Sequence, residues 1–288
     1  MKGSVVTVTK VRGFIALLLS MALVITTMGT ALAAPNGDKG HKGGVKTEQV
    51  HDALRGIDGV LDDSKGSKAK AKGQSMVLEN ADGISAEVPL DAKKGVKIGV
   101  GDNALKVKVP NANEAGKGKV VSEGTVAYPS GEQSANAVQL LGKNGEQAVR
   151  MLTVIKSSDA ATQYPYEVDV PAGGKIEILP NGGAMVLDGA DTVIAVVDVP
   201  WAKDANGLPL ATHFTTDGTT LVQHVEHNVP GVAYPVVADP IWFYIAPWVL
   251  RRCGIGYFGG ATGAWITGAN AWQIFGAGVF GCIFSFVR

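Results

Sequence analysis

From residue 75 to residue 240 the apolar positions fall in short runs, many alternating with polar ones and cut by Gly, Asn, Asp and Pro. The clearest runs are residues 76–78, 84–88, 96–100, 105–109, 120–127, 137–141 and 148–155, then 166–170, 175–179, 184–187, 193–199 and 221–227. Period-two patterning predicts strands with one face buried, because successive side chains point to opposite sides of a sheet. Roughly a dozen short strands, with little helical periodicity between them, predict a mainly β fold, an antiparallel sandwich or open barrel. Asn80-Ala81-Asp82-Gly83, Lys143-Asn144-Gly145, Asn181-Gly182-Gly183 and Asp217-Gly218 supply the turns. Val88-Pro89, Val170-Pro171 and Val199-Pro200 are expected to end strands, since proline lacks the ladder donor. Similar text after the first two steps, DAKKGVKI and AGGKIEI, hints at a duplicated hairpin.

The pattern changes on both sides of this region. Residues 34–74 turn to Gly, Lys and Asp and predict a flexible linker. Within it, Val50, Leu54, Ile57 and Leu61 recur at helical spacing with Thr47 as N-cap, predicting one short amphipathic helix. That helix either packs on the following domain or clips onto the C-terminal segment. At the start, Lys2, Lys10 and Arg12 precede an uncharged run that ends in Ala31-Leu32-Ala33. A basic stretch, an apolar stretch and a small-residue site predict an export signal over residues 1–33, cut by signal peptidase between Ala33 and Ala34. A transmembrane anchor is the competing reading.

Residues 241–288 hold both cysteines, four of the tryptophans and three arginines, with no Asp or Glu. No charged residue occurs from Cys253 to Val287. The segment is expected to be small, α-helical, Gly-rich and membrane-active. Gly256, Gly260 and Gly268, with Ala264, share one face of a helix and would let helices approach closely in lipid, including copies of the same tail. Trp242, Trp248, Trp265 and Trp272 are expected at the headgroup level, the alternative being the core of a small folded unit. Arg251-Arg252 would contact anionic lipid or serve as a processing step for a secreted protease. In an exported chain Cys253 and Cys282 are expected to pair, closing a loop of about thirty residues worth roughly 3 to 4 kcal/mol.

Charge and motifs narrow the chemistry. The 26 basic and 26 acidic side chains cancel, which argues against nucleic acid as a partner. There is no G-x-S-x-G, H-E-x-x-H or P-loop, so the reading is a non-enzymatic protein without cofactor or metal. His224 and His227 in the run HVEH would need a third zinc ligand, His213 or Asp217. On a strand, residues three apart face opposite ways, which favours ordinary strand residues.

One stretch has a familiar look. Val199-Pro200-Trp201-Ala202-Lys203-Asp204-Ala205-Asn206-Gly207, Ala211-Thr212-His213-Phe214, the run from Leu221 to His227, and Ala233-Tyr234-Pro235-Val236-Val237-Ala238-Asp239-Pro240 resemble a module of secreted actinobacterial proteins of uncharacterised function. There a YPVVADP-like run closes a β-rich domain and the sequence after it varies. The resemblance covers about residues 160–240, the second half of the β-rich domain read over residues 75–240, and implies a shared export or presentation domain with a variable segment beyond and no activity attached. The segment's composition itself resembles secreted one-disulfide bacteriocins, as a class only. Together these readings predict a secreted precursor whose β-domain carries or masks a peptide that permeabilises competitor membranes. A cell-envelope β-domain held at the membrane by its apolar end is the alternative.

Overall fold

The computed structural model describes residues 44–80, 83–101, 104–142 and 147–245. Among these, eighteen strands, one α-helix and one 3-10 turn form a mainly β, sandwich-like fold with two antiparallel sheets. The first sheet runs β1 (Lys70–Lys72), β2 (Ser75–Glu79), β3 (Ser85–Pro89), β4 (Val96–Gly99), β5 (Leu105–Lys108), β10 (Gln163–Val168), β16 (Thr220–Val225) and β15 (Thr212–Thr216). The second runs β11 (Lys175–Ile178), β12 (Ala184–Leu187), β13 (Val193–Val197), β18 (Ile241–Tyr244), β9 (Ala148–Ile155), β8 (Ser134–Leu141), β7 (Thr125–Tyr128) and β6 (Lys119–Ser122). β17 (Val236–Asp239) pairs with β9 on one side and with β14 (Trp201–Lys203) on the other.

Alternation drives the first sheet together with its partner. Tyr164, Tyr166 and Val168 of β10, and Leu221, Gln223 and Val225 of β16, point inward while their sequence neighbours face outward. Their apolar members join Val138, Leu140, Val149, Met151 and Ile155 of the second sheet in one core between the sheets. The second sheet is apolar on its other face as well. Ala135, Ala137, Leu152, Val154 and Val237 form a second cluster there.

The helix covers that second cluster. α1 (Thr47–Gly56) lays Val50, Ala53 and Leu54 on it, and Ile57 and Val60 follow from the turns beyond. Each such aliphatic side chain contributes about 1.5–3 kcal/mol by leaving water. The helix therefore packs on the domain. The N-cap is Lys46 rather than Thr47, and the Lys46 amide donates to the Gln49 side chain at 2.9 Å. Gly59, at φ 78°, turns the chain where the helical pattern fails.

Further expectations need correction. The described part of the expected linker, residues 44–74, belongs to the domain: Val45 and Ser130 exchange two backbone hydrogen bonds, and Lys70–Lys72 pairs with β2. The apolar helix face needs cover, and the sheet provides it. The boundary after Pro240 also moves, because β18 is a central strand between β13 and β9. Pairing resumes beyond two prolines: β13 and β17 end before Pro200 and Pro240, as proline steps should, and β14 and β18 begin directly after them. Val237 and Ala238 pair with Val154 and Thr153, Met151 then donates to the Pro240 carbonyl at 2.9 Å, and Ile241 resumes the ladder opposite Arg150. On the adjoining track, Val197 pairs with Trp242, Pro200 intervenes, and Trp201 pairs with Asp239. A missing N–H removes one ladder bond, and the ladder resumes on the far side of each proline.

The hint of duplication is not carried either. β3 and β4 are neighbours in one sheet, whereas the chain passes from β10 in the first sheet to β11 in the second.

Candidate functional site

Of the residues expected at the membrane, Trp242 is the one the structure describes, and it is fully buried. It lies in the core between the sheets with its ring centroid 6.3 Å from that of Tyr166. Its place on β18 fixes this: it pairs with inward Val149, and its neighbours Ile241 and Phe243 face the other way. Trp242 is therefore a core residue and not a lipid contact. Ala33, Ala34, Trp248, Arg251, Arg252, Cys253, Gly256, Gly260, Trp265, Gly268, Trp272 and Cys282 lie outside the described residues.

The HVEH run divides between the two faces of β16 and the loop after it. His227 is fully buried. Its Nε2 donates to the Ala161 carbonyl at 2.9 Å, and its Nδ1 lies 3.1 Å from the Tyr234 hydroxyl, which donates to the His227 carbonyl at 2.6 Å. These bonds tie the loop after β16 to the residues before β17. His224 stands on the outer face, opposite His213 of β15. Asp217 is at the hairpin turn, where its carboxylate accepts from the Thr219 and Thr220 amides at 2.9 and 2.8 Å. Those bonds hold the carboxyl below its ordinary range. Among the described residues, no group of three or more His, Cys, Asp or Glu side chains could hold a metal ion.

A buried polar cluster, not anticipated from the sequence, sits on the helix side of the second sheet. Arg150 Nη1 donates to Asp63 at 2.8 Å, and Arg150 Nε lies 3.3 Å from Asp239 Oδ2 without the alignment of a hydrogen bond. Gln139 joins them, donating to the Val60 carbonyl at 2.9 Å and to Thr125 Oγ1 at 3.2 Å. Asp239 Oδ1 accepts from the Trp201 amide at 3.3 Å, beside the Pro200 gap. Burial pushes the Asp239 carboxyl up to about 7, against the pull of Arg150 and the Trp201 amide. The cluster thus joins the turns after α1 to β8, β9 and β17. Strand alternation explains why it was missed: Arg150 and Asp239 are far apart in sequence, and only the register brings them to one face.

Two further surfaces matter. A groove of about 390 Å3 opens between α1 and the second sheet, lined by Val45, Ala53, Ile57, Val154, Tyr234 and Pro235, with the Tyr234-Pro235 peptide cis. Away from the helix, Met185, Leu187, Val193, Val196 and Ile245 are also buried. They belong neither to the core between the sheets nor to the cluster under α1. On β12 and β13 the inward residues are Ala184, Val186, Ala195 and Val197, so Met185 and Val196 between them face outward.

Compared with models of protein families, with curated proteins and with solved structures, the chain matches none.

Proposed function

We propose that the chain is an exported carrier whose β-domain holds and presents a membrane-active segment from residue 246 onward. The observation that carries this reading is the sequence after the last strand: an Arg-Arg step, then no charged residue from Cys253 to Val287. Such a stretch favours lipid over water and needs cover until it reaches a bilayer. The outward-facing Met185 and Val196 support a seat for it, since the chain leaves the sheet close by, where the Ile245 amide donates to the Ile194 carbonyl. In this reading the segment's partners are the bilayer and a releasing protease, and Cys253 pairs with Cys282.

The position of β18 restricts how release would work. A cut before Ile241 would leave the segment attached through a central strand carrying the buried Trp242. Release without unfolding requires a cut after Ile245, and Arg251-Arg252 provide a dibasic step there.

Intact-mass spectrometry of culture supernatant and washed membranes, with and without reduction, tests the proposal. A supernatant peptide beginning at Arg252 or Cys253, gaining about two mass units on reduction of its disulfide, is the expected result. Full-length chain found only with the membrane would overturn release and favour a β-domain held at the cell envelope.

A further inference from the structure

The outer face of the first sheet carries a pair of imidazoles that the carrier reading does not use. His213 of β15 and His224 of β16 are direct partners in the antiparallel register. Their rings lie face to face, with centroids 4.6 Å apart and planes within 5°. Phe214 on one strand and Gln223 and Val225 on the other point into the core, so alternation sends both histidines outward. β15 is the edge strand, and His213 is exposed. The Thr215 hydroxyl lies 2.8 Å from His224 Nε2 and orients that ring.

From this juxtaposition we propose that His213 and His224 form a bidentate surface site for a divalent transition-metal ion, Cu(II) above all. Two imidazole nitrogens suit copper, nickel and zinc, and the order of divalent affinities places Cu(II) first. Calcium and magnesium seek oxygen ligands and are not expected to bind. Stacked as they are, the parallel rings cannot share one ion, because each nitrogen's lone pair lies in its ring plane; binding requires at least one exposed ring to turn out of the stack, with the Thr215 hydroxyl giving way at Nε2. The second ligand then binds at high effective concentration, which separates a true chelate from two independent histidines. The protein supplies two donors, and water or a solution ligand completes the coordination.

The test uses the full chain and Cu(II)–iminodiacetate, a probe with open positions for two nitrogens. Titration calorimetry is expected to show one equivalent bound, with affinity falling at least about tenfold in His213→Ala and in His224→Ala alike. His51→Ala, which removes a histidine from α1, is the control and should bind as the unchanged chain does. Electron paramagnetic resonance should show two imidazole nitrogen couplings beside that of the iminodiacetate nitrogen, reduced to one imidazole in either variant. Both substitutions lie on the outer face at the sheet edge, and far-UV circular dichroism verifies that the fold persists. Wild-type affinity in either single variant, or a spectrum with only one imidazole nitrogen in the unchanged chain, would overturn the site.

Discussion

The outer faces of the two sheets differ in what they ask of the sequence. On the first sheet, Lys97, Lys106 and Lys108 alternate with inward Val96, Ile98, Leu105 and Val107, so water covers the outside. On the second, β8 and β9 are buried on both faces across nearly their whole length. A strand open to water can use any solvated side chain on that side. A strand buried twice must find partners for the polar groups it carries, and Arg150, Gln139 and Asp239 find most of theirs in one another and in the turns after α1, with Arg150 Nε and Asp239 Oδ2 held only as a charge pair. Sequence tolerance should therefore collapse on one outer face and persist on the other.

Removing the cation of the buried cluster should have the largest effect. Arg150→Ala leaves Asp239 buried without its counter-charge, and the expected loss is about 3–5 kcal/mol in urea unfolding. A loss below about 1 kcal/mol would show that the cluster is solvated like an ordinary surface pair. Next comes the helix layer. Leu54 is fully buried against the second sheet, and Leu54→Ala should cost about 2–5 kcal/mol. If the loss is a few tenths instead, α1 is not a structural layer, and the contrast between the two faces fails.

The third effect is one of pH. In the folded chain the Asp239 carboxyl titrates near about 7, well above its ordinary value of 3.8. The unfolded chain therefore sheds this proton first as pH rises, and the folded state is the one binding more protons over that interval. Stability from this group is complete below about pH 4, declines as pH rises toward 7, and is flat above it. The slope is at most about 1.4 kcal/mol per pH unit. Asp239→Asn should abolish that component, so unfolding curves for the two proteins should diverge between pH 4 and 7. Parallel curves would place the carboxyl in its ordinary range. Smallest of all is Lys108→Ala on the first sheet's outer face. It breaks a 2.9 Å pair with the largely exposed Glu167 and should change stability by less than about 0.5 kcal/mol.

How much of this was legible in the sequence follows the same division. β2, β10 and β16 announce themselves by period two, because one face of each meets water. The helix was legible from Val50, Leu54 and Ile57, which need a single stripe of cover. β18 was not. Asp239-Pro240 has the local chemistry of a strand end, and nothing nearby tells that Met151, far upstream, supplies the next donor. Trp242 was misplaced for the same reason, since an aromatic in an apolar stretch reads equally as lipid contact or core. The cluster around Arg150 and the facing histidines share this invisibility. Each depends on register between strands that are separated in sequence, and register is a property of the whole sheet.

The late arrival of β18 also bears on when the domain can form. Val149 waits for Trp242, about ninety residues downstream, and with it waits the central seam of the second sheet. During synthesis or passage through a membrane, the β8–β9 hairpin can assemble early, but one flank of β9 stays open until nearly the whole described domain has emerged. Closure of the sandwich is thereby timed to the moment the apolar segment follows. A ribosome stalled just before Ile241 should hold an incomplete domain sensitive to protease, and one stalled some forty residues later, with β18 clear of the exit tunnel, should hold a resistant one.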